Sequence, residues 1–175
     1  MKRAVLAAVA LAAACAQFEP RPPAGPLEFQ LTGRLAARYE SESFTGNVSW
    51  SHSRQGDEML ISTPMGQGVA RIVRDADGVV LRTAEPREYR AADAESLTQE
   101  VLGFRLPLAG LGDWVRARPA DGPPFQVERS PEGRLRVLEQ LGWRVEYQEY
   151  EADRPKRMRL VYPGVDLRFV VTEWK

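Results

Sequence analysis

Few residues in this chain are capable of chemistry. There is one histidine and one cysteine, too few to supply the four nitrogen or sulfur ligands of a structural zinc site. His52 stands at the polar end of an alternating run, where a lone histidine is expected to face water rather than act as a base. No Gly-x-Ser-x-Gly elbow occurs to expose a nucleophilic serine. The carboxylate pairs Asp57-Glu58 and Glu149/Glu151 fall in turn-like or exposed settings, where a solvated charge is the expectation. Gly66-Gln67-Gly68 is too short to be a phosphate loop, and no helix start follows it. The reading is therefore no enzyme, no metal and no cofactor. What remains is the thiol of Cys15.

Its context is specific. Met1-Lys2-Arg3 is followed by an unbroken small and apolar run, Ala4 to Ala14, matching the charged and hydrophobic regions of a secretory signal. As a helix that run would span only ~16 Å, against a hydrocarbon core of ~30 Å, so it is not a membrane span. It ends in Ala12-Ala13-Ala14, as a cleavage site requires, directly before Cys15. The stretch resembles a lipobox, with Ala12 where the pattern usually has Leu. Residues 1–14 are thus expected to be removed and Cys15 to carry the lipid, a palmitate-type acylation. Ala16 rather than Asp after the cysteine points to the outer membrane. Without Lys2 and Arg3 the balance of charge is slightly acidic, no footprint for nucleic acid.

These features must be carried by a fold. Residues 15–27 contain Pro20, Pro22, Pro23 and Pro26, a density that favours an extended tether. The roughly 150 residues of 28–175 are the size of a single domain. They open with a period of two: Phe29, Leu31, Gly33, Leu35, Ala37 and Tyr39 against Gln30, Thr32, Arg34, Arg38 and Glu40. That alternation marks a long half-buried strand. Similar runs follow at Phe44–Ser51, Glu58–Thr63, Val69–Arg74 and Val79–Arg82, separated by turns. Leu97, Val101 and Phe104 then share one helical face, with Asp93 as N-cap and Gly103 as stop. Pro107 starts a second short helix carrying Leu108, Leu111, Trp114 and Val115, weakened by Gly110 and Gly112. Alternation returns from Phe125 to the C-terminus. The sum is about ten to eleven antiparallel strands, with two short helices inserted after about the fifth.

So large a sheet must close, curl or split to cover its apolar face. Two short helices are too small to cover it flat. The expectation is a mainly β fold, an open, incomplete antiparallel barrel with the helices as a lid over its mouth. The pattern allows either an apolar hollow for an apolar guest or a core filled by the domain's own side chains. Pro64-Met65-Gly66 forms the tip of a turn between two strands. If Met65 projects, it is an apolar probe that gains ~1.5–3 kcal/mol on burial in lipid, enough for contact and too little to anchor.

Taken in order, several segments resemble the LolB family of outer-membrane lipoproteins. They are Leu31-Thr32-Gly33-Arg34-Leu35, Trp50, Pro64-Met65-Gly66, Leu106-Pro107-Leu108, Leu111, Trp114, Pro119, Gln140-Leu141-Gly142-Trp143, Tyr147, Tyr150 and Trp174. The resemblance covers nearly the whole mature chain. It implies an open barrel whose hollow takes the acyl chains of client lipoproteins, received from a LolA-like periplasmic carrier and inserted into the inner leaflet of the outer membrane. It also implies a protruding loop with an apolar tip, usually Leu, whose place Met65 takes. Periodicity selects Leu31, Leu35, Trp50, Leu97, Val101, Leu111, Trp114 and Trp143 as candidate lining. No nucleic acid partner and a monomer are expected. The alternatives are another lipid-binding half-barrel carrier, or a structural outer-membrane lipoprotein with a filled core.

Overall fold

The computed structural model describes residues 22–175 apart from 86, 103 and 104. The signal segment 1–14, Cys15 and the first part of the tether lie outside the described residues, as do the expected helix stop Gly103 and its neighbour Phe104. Eleven strands are present: β1 Leu27–Tyr39, β2 Glu42–Ser53, β3 Gly56–Ser62, β4 Gly68–Asp75, β5 Gly78–Thr83, β6 Glu88–Ala91, β7 Phe125–Arg129, β8 Leu135–Gln140, β9 Trp143–Glu151, β10 Arg154–Tyr162 and β11 Val165–Trp174. Two helices, α1 Ala94–Leu102 and α2 Leu108–Trp114, lie between β6 and β7. The helices thus follow the sixth strand rather than the fifth. The sequence pattern missed β6 because it is four residues long and alternates charged with weakly apolar side chains.

All strands belong to one sheet, ordered β6-β5-β4-β3-β2-β1-β11-β10-β9-β8-β7. β1 pairs with β11 along most of its length, from Leu31 opposite Trp174 to Tyr39 opposite Val165, so the two ends of the domain meet at the sheet's centre. Gly33 makes that seam close. A Cβ there would lie 2.6 Å from the Val170 carbonyl oxygen and 2.9 Å from the Phe169 ring. β6 and β7 are left as unpaired edges. Because neighbouring strands are antiparallel, connections alternate between two ends. We call the rim the end that carries the β1–β2, β3–β4, β5–β6, β8–β9 and β10–β11 turns, and the base the other.

The sheet is strongly curled, and α2 gives the measure of it. In a flat sheet β2 and β8 would stand five strand spacings apart, ~24 Å at ~4.8 Å each. Yet α2, seven residues and ~10 Å long, touches both. The Trp114 Nε1–H donates to Gln140 Oε1 on β8 at 2.8 Å. Two residues earlier, Gly112 lies so near His52 of β2 that a Cβ would come within 2.8 Å of the imidazole. The glycine that weakens the helix locally is what lets it seat against the wall. Asp93 caps α1 as expected, accepting from the Ser96 amide at 2.7 Å, and α1 rests on β5 and β6.

One core results, joining the inward side chains of both walls to Ala94, Leu97, Leu108, Leu111 and Trp114 of the helices. Replacing Gly112 by Ala is expected to force α2 off His52 and to lower stability by about 1–3 kcal/mol, the usual cost of overpacking. Urea denaturation would show this as a lower midpoint at unchanged slope.

Candidate functional site

The expected projecting loop is built from local bonds. At its neck the Thr63 amide donates to the Gln67 carbonyl at 2.8 Å, and the Gly66 amide to the Thr63 carbonyl at 2.9 Å. The Asn47 side chain donates to the same Thr63 carbonyl at 3.2 Å. Pro64 fixes one φ, and Gly66 takes φ +88°, which glycine adopts without steric cost. The closed turn leaves Met65 94% exposed, where unbranched apolar side chains are ordinarily tucked away. The methionine projects from the rim.

Among the eight residues expected to line a hollow, Leu31, Trp50, Leu97, Leu111, Trp114 and Trp143 are buried. Leu35 and Val101 are partly buried against the same core. Two aromatic groups organise it. Phe29 meets Trp50 edge-on at 5.1 Å and Trp174 at 5.7 Å. On the other wall Trp143 stacks on Tyr162 at 5.1 Å and lies 6.4 Å from Trp114. Helices and concave face are in direct contact, and these side chains occupy the space between them.

An open groove of about 690 Å³ lies instead at the rim, lined by Pro123, Pro124, Phe125, Gln140, Leu141 and Trp143 among others. Phe125 and Leu141 are about half exposed beside it. The sequence marked Gln140-Leu141-Gly142-Trp143 for the family resemblance and Trp143 as candidate lining, but not an open groove beside them. The available signal was Leu141-Gly142 in a two-residue hairpin turn, where Asn-Gly is the usual choice.

The polar chemistry departs from expectation. His52 is buried rather than at the surface, and Asp57 and Glu58 are buried rather than solvated. The reason is register: His52 and Asp57 face one another across the β2–β3 hairpin. His52 Nδ1 and Asp57 Oδ1 are 2.6 Å apart. Trp50 Nε1–H donates to the same oxygen at 2.9 Å, and Arg74 Nε–H to Oδ2 at 2.5 Å. Glu58 pairs with Arg71 at 2.7 Å. His52 is sandwiched between the Phe29 ring, stacked at 4.8 Å, and the α2 backbone at Gly112. These contacts with Asp57, Phe29 and Gly112 are structural, and they hold the lid helix to the wall.

A second polar contact completes the latch. Arg116, just past α2, donates to Glu28 Oε2 at 2.5 Å and to Asp113 Oδ1 at 2.9 Å. Its guanidinium also lies over the Phe29 ring, 5.4 Å from the centroid. Hydrogen bonds from Arg54 and then Arg116 hold the Glu28 carboxyl well below the usual carboxylate range, at about 2. On the other wall Gln140 accepts from Trp114 and the Ala120 amide, and donates to the carbonyls of Ala120 and Pro123. The buried Tyr147 hydroxyl donates to the Trp114 carbonyl at 2.8 Å.

Taken together, these features define a class: a curled, open antiparallel sheet with an inserted helical lid and an apolar probe on its rim. The model of the family described as outer membrane lipoprotein LolB matches residues 27–174, and the chain belongs to that family. Outer-membrane lipoprotein LolB of Thiobacillus denitrificans is 39% identical over 98% of this chain and 96% of its own. The protein of the same name from Chromobacterium violaceum is 34% identical, covering 100% of this chain and 99% of its own. The fold is similar to that of a DUF1329 family protein from Desulfovibrio piger, with TM-score 0.52, 8% identity and 84% of each chain covered.

The Glu28 contact makes a signed prediction. Its folded value lies below the unfolded one near 4.5, so its stabilisation is complete above about 4.5 and vanishes as pH falls to about 2. Acid unfolding followed by tryptophan fluorescence should begin within that window. Glu28→Gln should be less stable at neutral pH and should lose part of the acid dependence. Identical acid curves for the two proteins would disprove the latch.

Proposed function

We propose that the protein is an outer-membrane receptor for lipoproteins: it takes them from a LolA-like periplasmic carrier, shelters their acyl chains and inserts them into the membrane. In this reading residues 1–14 are removed, Cys15 carries the lipid, residues 15–27 are the tether and 28–175 are the working domain. Mass spectrometry of the mature N-terminus should find an acylated Cys15. None of the described helices is long and apolar enough to cross a membrane, and a lipid on Cys15 would supply the attachment. The protein acts alone, as a monomer, with no bond made or broken.

The observation that carries the reading is Met65, 94% exposed at the tip of a hydrogen-bonded turn. Burying a methionine in lipid yields ~1.5–3 kcal/mol, which supports brief contact during release and cannot hold the protein down. Met65→Glu should still accept a client from the carrier, yet deliver it to liposomes at least about tenfold more slowly. Equal delivery would remove the loop from the mechanism.

Acyl chains need room, and the helices differ in how firmly they hold it closed. α2 is bonded to both walls, whereas α1 is seated mainly by Ala94, Leu97 and the half-buried Val101. Their burial is worth roughly 3–5 kcal/mol at ~25 cal/mol per Å². Each buried methylene of an acyl chain contributes ~0.8 kcal/mol, so about five or six offset the cost of lifting α1. The acyl chain then lies where Leu97 and Val101 were, beside β5, β6 and α2, and extends toward Leu31, Leu35, Trp50, Leu111, Trp114 and Trp143.

The direct contact between helices and sheet favours one competing reading, a structural lipoprotein with a permanently filled core. Native protein should bind bis-ANS and release it to an acylated peptide but not to the same peptide without its lipid. Absence of competition would favour the filled core.

A further inference from the structure

The two ends of the curled sheet differ in charge. Every connection at the base carries a charged residue: Arg54 between β2 and β3, Asp77 between β4 and β5, Asp93 after β6, Glu132 and Arg134 between β7 and β8, and Asp153 between β9 and β10. At the rim three of five turns carry none. These are the Met65 loop of residues 63–67, Leu141-Gly142 between β8 and β9, and Pro163-Gly164 between β10 and β11. The exposed large apolar side chains follow the same division. Among the described residues, Met65, Phe125 and Leu141 are at the rim, Val127 is two residues along β7, and Leu27 alone is at the base.

Leu141 is the singular member. It adopts φ +54° beside Gly142 at φ +78°, the pair of positive angles of a type I′ turn, which Asn-Gly suits and a leucine strains. The position is thus unfavourable twice over, in backbone conformation and in exposing a leucine to water. The β8–β9 turn lies six strand spacings from the β3–β4 loop in the sheet order, on the opposite wall of the curled sheet.

We propose that Leu141, flanked by Phe125, is a second point of contact with the lipid surface, so that the rim meets the bilayer from both walls of the open barrel. This rests on the proposed role of the Met65 loop and extends it to the opposite wall. Uncharged tips favour lipid as the occupant, and the charges nearest Leu141, Glu139 and Arg144, are paired with one another at 2.6 Å, which lowers the cost of desolvating them. The chain enters β1 at the base, where Ser53 donates to the Ala24 carbonyl. The seven steps from Pro22 back to Cys15 span at most ~25 Å, so the rim touches the anchoring bilayer only with the domain inclined, and the contact is intermittent.

The test uses the full chain acylated at Cys15, whose thiol is then consumed, with a single new cysteine at Leu141→Cys, Met65→Cys or Asp153→Cys carrying an environment-sensitive NBD label. In phosphatidylethanolamine–phosphatidylglycerol vesicles with nitroxide lipids, labels at 65 and 141 should be quenched and the label at 153 should not. Quenching at 65 alone overturns the second contact while leaving the loop's role intact, and silence at both overturns both. A label at 141 that responds only when loaded carrier is added marks a protein-docking surface and also overturns the proposal. Leu141→Asn gives a control for folding. It relieves the turn and should raise the thermal midpoint, yet slow client delivery about three- to tenfold. Unchanged delivery by this variant counts against the contact.

Discussion

The fold depends on α2 bridging the two walls. Eleven strands in an open order leave β6 and β7 unpaired, so no ladder of backbone bonds closes the barrel. Curvature is held instead where Gly112 meets His52 on one side and Trp114 meets Gln140 and Tyr147 on the other. Those contacts lie only two residues apart along the helix. Because the brace works through hydrogen bonds and a close backbone approach, it is directional, and it fixes how far apart the walls stand. Apolar burial alone favours compactness without setting that distance.

The buried polar groups make sense as part of the brace. Asp57 is a carboxylate almost without solvent, and a lone one would be costly to bury. Trp50, His52 and Arg74 all bond to it, and removing any of them would leave charge under-compensated. His52 in turn presents a flat ring to α2. The network stands behind the brace in the way a supporting layer of hydrogen bonds fixes a binding site. It leaves α1 outside it, and α1 covers β5 and β6 near the free edge of the sheet.

How far the sequence could be read follows from how local each signal is. Alternation exposed the long strands, because a sheet with one buried face repeats every two residues. Asp93 and Pro107 marked both helix starts. His52 and Asp57 were misplaced for a traceable reason. With the turn assigned to Gln55-Gly56-Asp57, the aspartate falls in solvent. The actual turn is Arg54-Gln55, with Gly56 and Asp57 already in the next strand, and it pairs Ser53 with Gly56 and His52 with Asp57. A two-residue hairpin fixes register, so that pairing was readable. Contact between α2 and His52, or between Arg116 and Glu28, was not, because 88 residues separate the latter pair and no periodicity links them. The family resemblance raised Met65 and the terminal Trp174 to notice, and had nothing to say about Leu141 as an exposed tip.

A protein that only had to be stable would not be built this way at its rim. Met65 could be polar at no cost to the hydrogen bonds of its turn, all of which are made by residues 47, 63, 66 and 67. Asn at position 141 would suit the backbone better than Leu. Both choices give up solubility, and one gives up stability as well, at the end of the barrel where turns also lack charge. An exposed apolar tip occurs twice at the rim, and in Leu141 it coincides with a positive φ; exposure of that kind is better explained by what the place must touch than by the fold it belongs to. The base, with a charge in every connection, shows what the same chain does where nothing apolar has to be met.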